Sequence, residues 1–220
     1  MDFSKLKLEI YDLLGLLLPG LIALCQAWIL LRGWAPFLAS VLQLGATGFT
    51  LLLLIAFGFG HIIQELGDVG IKTAKGERYF RQARDRFWAT AESQLVREAI
   101  RKELGHEIES VDLAFDYCLT KVKDRFVKRD VFLATSDLCR SFVLLSVLGL
   151  LPAVRIAFCD IHPVPKSLLA FAMLAVLLLA TALLAWKRMV RFRELSETTV
   201  FRSYLATVGE SQKSAAEPHS

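Results

Sequence analysis

The chain has 220 residues, of which 55% are hydrophobic and 22% charged, and its formal net charge is +4. Soluble domains usually contain about 45–50% apolar residues, and in this chain the excess is gathered into long apolar runs. The composition therefore favours a membrane protein over a soluble globular domain. The four cysteines show no paired short spacing, so neither a disulfide framework nor a zinc site is indicated.

Four apolar runs predict four membrane-spanning helices, because each approaches the roughly 20 residues needed to cross a bilayer. The fourth run is the richest in leucine, whereas the third carries Pro152 and Arg155 near its end. Acidic residues in the leader "MDFSKLKLEIYD" indicate that the first run is retained rather than cleaved as an export signal. The predicted spans are Leu13–Leu31, about Val41–Ile63, about Phe142–Phe158 and Leu168–Trp186.

Small residues recur every four positions along the first span, at Gly15, Pro19, Ala23 and Ala27. Such stripes let membrane helices approach closely, and we expect this face to pack against the second span or another subunit. Pro19 removes one backbone hydrogen bond, which frees a carbonyl group that a neighbouring helix must satisfy. A kink used as a gating hinge is the alternative interpretation.

Residues at spacings of three and four form one stripe along the second span, which we call the polar stripe. Ionisable groups within a membrane usually face a bundle interior or a water-filled cavity, and an apolar middle is typical of a constriction that gates by dewetting. The stripe is therefore a candidate pore lining. It consists of Gln43, Thr47, Thr50, Leu54, Gly58, His61 and Glu65.

Two other interpretations of the polar stripe stay open. In the first, its Gln and Thr side chains bond a neighbouring helix, while His61 and Glu65 mark the membrane interface. In the second, His61 and Glu65 are two ligands of a metal ion in a membrane enzyme, but no third ligand stands at a diagnostic spacing. We therefore predict no metal site.

The distribution of Lys and Arg predicts the orientation in the membrane. Residues 64–140 hold fifteen of them, while the connections after the first and third spans hold few. Because cytoplasmic loops are enriched in these residues, we expect both termini in the cytoplasm of a bacterial cell. The predicted parts are a cytoplasmic N-terminus (1–12), a transmembrane hairpin (13–63), a cytoplasmic helical insert (64–140), a second hairpin (141–186) and a basic juxtamembrane segment with a disordered tail (187–220).

The insert is predicted to contain two helices. The first ends at Gly105 and is expected to bury Phe80, Phe87, Ala91 and Leu95 on one face, with spacings of seven, four and four. Ser110 is expected to cap the second helix. Its apolar face recurs every four residues, at Ala114, Cys118, Val122 and Phe126.

The segment "SDLCRS" places Asp137 and Arg140 one helical turn apart at the inner interface. Arg140 is expected to pair with Glu65 or Asp68 of the second span as well. This ion pair would join the insert to the membrane helices.

Basic residues cluster beside the predicted membrane surface. Bases close to a membrane attract anionic lipid at about 1 kcal/mol each, and the aromatic residues of "RYFRQARDRFW" would also suit stacking on a nucleotide. The predicted partners are thus anionic lipids or an anionic signal, and no double-stranded nucleic acid is expected. The residues are Lys72, Lys75, Arg78, Arg81, Arg84, Arg86, Lys187, Arg188, Arg191 and Arg193.

The motifs "YDLLGLLLPG", "GHIIQELG" and "SDLCRS" resemble those of a group of small bacterial membrane proteins with four spans, to which no function is attached. The general plan is similar to that of the membrane effectors of bacterial anti-phage systems. In those systems a cytoplasmic partner or a nucleotide signal opens a membrane lesion, and the resemblance implies a comparable role here.

The sequence thus predicts an all-α, multi-pass protein of the bacterial inner membrane that forms homo-oligomers. Its insert would sense a cytosolic partner or an anionic signal and control the spans, with ion conduction or membrane permeabilisation as the output. The alternative is a non-conducting scaffold that docks a cytosolic protein. No P-loop, GxSxG, HExxH or dinucleotide-binding motif is present, so neither an enzyme nor a cofactor is expected.

Overall fold

The computed structural model describes residues 3–73, 76–122, 127–160 and 164–216, with side chains over 13, 15–70, 82–122, 128–160 and 166–210. All elements in these ranges are helical. In chain order they are α1 (Phe3–Arg32), α2 (Trp34–Leu42), α3 (Ala46–Thr73), α4 (Gly76–Trp88), α5 (Ala91–Leu104), α6 (Val111–Lys121), α7 (Val127–Leu148), α8 (Leu150–Arg155), a π-helical turn (Ile156–Asp160) and α9 (Val164–Ala216).

Within the described residues, four helical segments are long and apolar enough to cross a membrane: Gly15–Arg32, Ala46–Gly70, Lys128–Asp160 and Lys166–Glu210. Large apolar side chains on the last of them, such as Met173, Val176 and Leu183, are exposed. Water would make that exposure unfavourable, whereas lipid would not. The predictions of an all-α chain and of four helices able to span a membrane are confirmed.

The connection after the first span is itself a helix. Gly33 ends α1 with a φ of 92°, and the Asp160 carboxylate accepts a hydrogen bond of 3.0 Å from the backbone N–H of Trp34 at the start of α2. An acceptor at this position satisfies one of the free N–H groups of a helix N-terminus. The second span, predicted over about Val41–Ile63, begins and ends a few residues later in the structure: α2 continues to Leu42, α3 begins at Ala46, and the apolar segment runs to Gly70.

The chain divides into two compact units. The membrane unit comprises Glu9–Ala74 and Ala134–Met189, and the polar unit comprises Met1–Leu8, Lys75–Leu133 and Val190–Ser220. Helices α7 and α9 each contribute residues to both units. The segment after residue 189 thus shares a compact unit with residues 75–133.

The core of the polar unit is built around the second half of α9. Phe201 is fully buried and stacks on Phe87, with ring centroids 4.8 Å apart, and its ring meets Phe115 edge-on at 5.7 Å. Val200 and Tyr204 are buried beside it. The predicted disorder after Leu205 is wrong as far as Ala216, because α9 continues to that residue.

The predicted first helix of the insert is interrupted. It is divided into α4, which ends at Trp88, and α5, which begins at Ala91. Thr90, between the two helices, has an extended backbone conformation. The Ser93 hydroxyl donates to the carbonyl oxygens of Trp88 and Thr90, at 2.7 Å each, which stabilises the break.

Since the interruption resets the helical phase, the predicted buried face is correct at Phe87 and wrong beyond it. Leu95 is 57% exposed, while Val96 and Ile100 are buried. Ala91 is exposed as well, and Phe80 lies outside the described side chains.

The other local predictions for the insert are confirmed. Gly105 ends α5 in the left-handed conformation, with a φ of 76°, and the Ser110 side chain caps α6 by accepting from the N–H of Leu113. On α6 the predicted face is buried at Ala114, Cys118 and Val122. Phe126 lies outside the described residues.

We predict that Phe201→Ala destabilises the polar unit by about 3–5 kcal/mol, because it leaves a cavity between three aromatic rings. Hydrogen exchange of the α5 and α6 amides in nanodiscs would measure the loss of protection. Leu95→Ala, at an exposed position of the same unit, is the control and should change stability by no more than ~0.5 kcal/mol. Equal effects of the two substitutions would contradict the central position of Phe201.

Candidate functional site on the second membrane span

The polar stripe lies on a face of α3 that the described residues leave uncovered. Gln43 is not part of this face, because it directly follows the last residue of α2 and lies outside α3. The uncovered face is therefore available to lipid, to water or to another copy of the chain. Its exposed residues are Thr47, Thr50, Leu54, Gly58, His61 and Glu65.

The groups of the stripe differ in how their polar atoms are satisfied. The Thr50 hydroxyl donates to the Ala46 carbonyl oxygen of its own helix, at 3.1 Å. The His61 ring stands perpendicular to that of Phe57, with centroids 5.0 Å apart. Among the described residues, the Glu65 carboxylate has no hydrogen-bond or ion-pair partner. The cost of placing the stripe in lipid therefore concentrates at its His61–Glu65 end.

The opposite face of α3 packs backbone to backbone against α1. A Cβ atom added at Gly60 would overlap the Leu16 carbonyl group, and one added at Gly20 would overlap the Ala56 carbonyl group. Only glycine permits this approach, which is the way small residues bring membrane helices together. Two pairs at spacings of four, Leu16–Gly20 and Ala56–Gly60, thus form the contact.

The packing stripe predicted on the first span lies in this contact region, but it does not include Gly20 at the centre of the contact. Gly15 and Pro19 are buried, and Ala23 and Ala27 are half-buried. Gly20 is the residue at the closest approach. The matching signal on the second span was not recognised in the sequence. It is the segment "AFGFG" at 56–60, in which the small residues Ala56 and Gly60 stand four positions apart.

A glutamine of α3 satisfies the carbonyl group that Pro19 frees. In a regular helix the N–H of residue 19 would donate to the carbonyl oxygen of Gly15, but proline has no N–H. The Gln64 side-chain amide donates to that oxygen instead, at 3.3 Å. The prediction that a neighbouring helix must supply this hydrogen bond is confirmed.

A second glutamine joins α1 to α7. The Gln26 side-chain amide donates to the Leu145 carbonyl oxygen at 3.0 Å, and Gly149 leaves room for it, since a Cβ there would lie 3.0 Å from the Gln26 nitrogen. One backbone carbonyl group of α1, that of Gly15, is thus bonded to α3, and one side-chain amide, that of Gln26, is bonded to α7. Such bonds satisfy polar groups that a bilayer cannot hydrate.

Arg140 links α7 to the end of α3. Its guanidinium group forms ion pairs with Asp68 and, at 3.3 Å, with Asp137. Of the two partners expected on the second span, Asp68 is thus the one in contact, and Glu65 stays exposed. Gly67 makes room for the arginine, because a Cβ at that position would lie 3.1 Å from Arg140 Cγ.

Two of the predicted ligand-binding bases, Arg84 and Arg193, are neutralised within the polar unit. Arg84 Nε lies 2.7 Å from Glu197 Oε2, its Nη1 lies 3.0 Å from Asp112 Oδ1, and its guanidinium carbon sits 3.8 Å from the Phe115 ring centroid. Arg193 approaches the other Glu197 oxygen at 3.4 Å. Glu197 is only 2% exposed, so these arginines balance a buried carboxylate instead of facing a ligand.

Of the remaining predicted bases, Arg86 pairs with Glu194 at 3.0 Å. Lys187, Arg188 and Arg191 are exposed on α9, where they are available to anionic groups. The other four bases cannot be placed: Lys75 lies outside the described residues, and Lys72, Arg78 and Arg81 lie outside the described side chains.

A polar cluster in the polar unit surrounds Glu103. The Tyr117 hydroxyl donates to the Glu103 carboxylate at 2.5 Å, and Lys121 Nζ lies 3.4 Å from the same oxygen. Desolvation opposes the charged form of Glu103, but hydrogen bonds from Tyr117 and Lys121 outweigh it and lower the pKa of this carboxyl group. Burial, reinforced by the Glu103 charge, raises the pKa of Cys118 to about 12, so this thiol is not a nucleophile at neutral pH.

In the part of the chain that the structure describes, no three His, Cys, Asp or Glu side chains come together as a metal ion would require. No protein-family model matches the chain, and neither the curated proteins nor the solved structures include a significant match. The function must therefore be argued from the fold and the geometry of α3.

We predict that Gly60→Ala destabilises the membrane unit by about 1–3 kcal/mol or more, because the added methyl group forces α1 and α3 apart. Gly58→Ala is the matched control on the same helix. A Cβ at Gly58 meets nothing within 4 Å, so the substitution should be neutral or gain up to ~1 kcal/mol of helix propensity. Thermal unfolding in detergent measures both, and equal melting temperatures would contradict the close contact.

Proposed function

We propose that the protein is a homo-oligomer of the bacterial inner membrane in which α3 of each copy lines a shared ion path. The polar unit would sense a cytosolic partner or an anionic signal and control the membrane helices, as in a permeabilising defence effector. The observation that carries this proposal is the exposure of the polar stripe on α3 in the single chain.

The main energetic cost of the polar stripe lies at its His61–Glu65 end. An ionisable side chain within a bilayer is costly unless it faces protein, a partner charge or water. His61 and Glu65 are exposed, so in a bilayer a single chain would leave them facing lipid. Several copies around a common axis would supply both the cover and the water.

The middle of the stripe would act as the gate. Leu54 is 67% exposed and has the apolar residues of "LLLLIAF" around it. A ring of such side chains excludes water from a narrow pore and opens when it widens. Helices α7 and α9 each belong to both units, so a change in the polar unit would reach the membrane unit through continuous backbone.

We predict that Leu54→Ser increases ion flux, because a hydroxyl group at the constriction favours wetting. The measurement is the membrane potential of expressing cells, followed by ion flux from proteoliposomes. Leu183→Ser is the matched control, since Leu183 is 65% exposed on the strongly apolar fourth span, where we expect it to face lipid.

Two results would contradict the ion path. One is the absence of flux from both the wild type and Leu54→Ser when membrane insertion has been verified. The other is a monomer or simple dimer in nanodiscs by native mass spectrometry, because two copies of α3 cannot enclose a water-filled path.

The proposed orientation makes a separate prediction. Cys159 is exposed in the π-helical turn at the end of the third span, so a membrane-impermeant maleimide should label it in intact spheroplasts. A cysteine introduced by Glu98→Cys, at an exposed position of the polar unit, should react only after permeabilisation. The reverse pattern would place the polar unit outside the cell.

A non-conducting scaffold is the second candidate function. Leu113 on α6 and Leu95 on α5 are 63% and 57% exposed in the polar unit, where a cytosolic protein would cover them. Two results together would favour this function over the ion path. The first is that Leu54→Ser causes no ion flux. The second is that the wild type binds a specific cytosolic protein and that Leu113→Glu no longer binds it.

A further inference from the structure

Helix α2 is apolar on every side, although it is not one of the four membrane-spanning segments. Its sequence, WAPFLASVL, contains no charged residue, and none of its nine residues is buried. Ser40, its only hydroxyl-bearing residue, donates to the Pro36 carbonyl oxygen of the same helix at 2.9 Å. The surface of α2 therefore needs an apolar cover, and apart from the indole of Trp34 at its start no side chain of the helix requires water.

The contact between α1 and α3 sets the level of the two ends of this connection. The two helices run antiparallel, with Gly20 against Ala56. At a rise of about 1.5 Å per residue, Gly33 stands about 20 Å beyond this contact along α1, and the start of α3 at Ala46 stands about 15 Å beyond it in the same direction. The chain thus leaves α1 and enters α3 at similar levels.

The length of α2 excludes an upright helix that projects into water. Nine residues give a helix about 14 Å long, which would carry the far end of α2 roughly 19 Å above the start of α3. The chain between Leu42 and Ala46 spans at most about 14 Å even when it is fully extended. Helix α2 must therefore run across the α1–α3 pair or back toward the bilayer.

Charged groups at the start of α2 mark the boundary of the bilayer. Arg32, at the end of α1, and Asp160, at the end of the third span, are both exposed. Asp160 accepts from the backbone N–H of Trp34, and a Cβ at Gly33 would lie 3.2 Å from its carboxylate. Tryptophan is enriched at membrane–water interfaces. The first residue of α2 is thus held where water and hydrocarbon meet.

We propose that α2 is a membrane-embedded helix that does not cross the bilayer, and that acyl chains of the nearest leaflet surround it. A helix that lies flat on a membrane surface presents a charged or polar face to water, and α2 has no such face. Its exposed surface also continues, without a buried residue, through residues 41–50 into the second span. The role of α2 does not depend on ion conduction and would be the same in a scaffold.

The test measures how often a nitroxide label on α2 collides with two reagents in nanodiscs. Oxygen concentrates in hydrocarbon, whereas a water-soluble nickel chelate does not enter it. Labels at Ala39→Cys and Val41→Cys point to roughly opposite sides of the helix, because two residues turn it by about 200°. The labelled protein is the full chain, in which the exposed and half-buried cysteines are replaced by Cys25→Ala, Cys139→Ala and Cys159→Ala, while Cys118 is buried.

Both labels on α2 are expected to collide with oxygen in preference to nickel. The lipid reference is Val176→Cys, since Val176 is 67% exposed on the fourth span, and the ratio of the two collision rates on α2 should approach its value. The water reference is Glu98→Cys, at an exposed position of the polar unit, where nickel should be preferred.

A second measurement leaves the native cysteines in place. Phospholipids brominated in the upper part of their acyl chains should quench the fluorescence of the wild type more than that of Trp34→Phe, and the difference is the contribution of Trp34. Iodide in the water should quench this contribution less than the brominated lipid does.

Three results would overturn the embedded helix. The first is a preference for nickel at either labelled position of α2, which would place that side in water. The second is infrequent collision with both reagents at both positions, which would assign the cover to a second copy of the chain. The third is a Trp34 contribution that iodide quenches and the brominated lipid does not.

Discussion

The membrane unit depends on a contact between α1 and α3 in which two backbones touch without side chains between them. Gly20 and Gly60 allow the contact, since any Cβ would overlap a carbonyl group of the facing helix. Pro19 lies beside Gly20, in the same turn of α1, and deprives the Gly15 carbonyl of its usual donor. Gln64, one turn beyond Gly60, provides the replacement. Close approach and the repair of a broken backbone bond are therefore parts of one interface, because a hydrocarbon solvent offers neither water nor another donor to the freed carbonyl.

The sequence predicted the features that depend on local chemistry. The helix stop at Gly105, the Ser110 cap and the need for a donor beside Pro19 each follow from one residue and its neighbours. The features it missed depend on tertiary contacts. Phe201 and Tyr204 lie after a basic segment and before a polar tail, so their i, i+3 spacing was not recognised as the missing wall of the core. Likewise Ala56 and Gly60 looked like part of an ordinary apolar run until a second helix was placed against them.

The ion pairs of the polar unit are also tertiary contacts that the sequence did not reveal. Arg84 and Arg193 looked like free bases in the sequence, because their partner Glu197 is distant from Arg84 along the chain. Burying one carboxylate between two arginines is costly unless every charge is paired, and removing a single partner would leave an uncompensated charge. This cluster fixes α4 and α6 to α9 and withdraws its arginines from any anionic ligand. Lys187 and Arg188, which are exposed in the membrane unit, are thus better placed for that role.

The two glycines of "FGFG" distinguish the two faces of α3. Gly60 is required by α1, but a Cβ at Gly58 would meet nothing within 4 Å in the single chain. A glycine within a helix costs about 1 kcal/mol relative to alanine, and at position 58 no contact with the described residues of the subunit compensates that cost. Gly58 lies on the polar stripe between Leu54 and His61. A small residue at this position would be useful if a second α3 approached closely or if a pore needed width just beyond its constriction. Both explanations require a further copy of the chain, so the uncompensated glycine and the uncovered His61–Glu65 end favour the same oligomer.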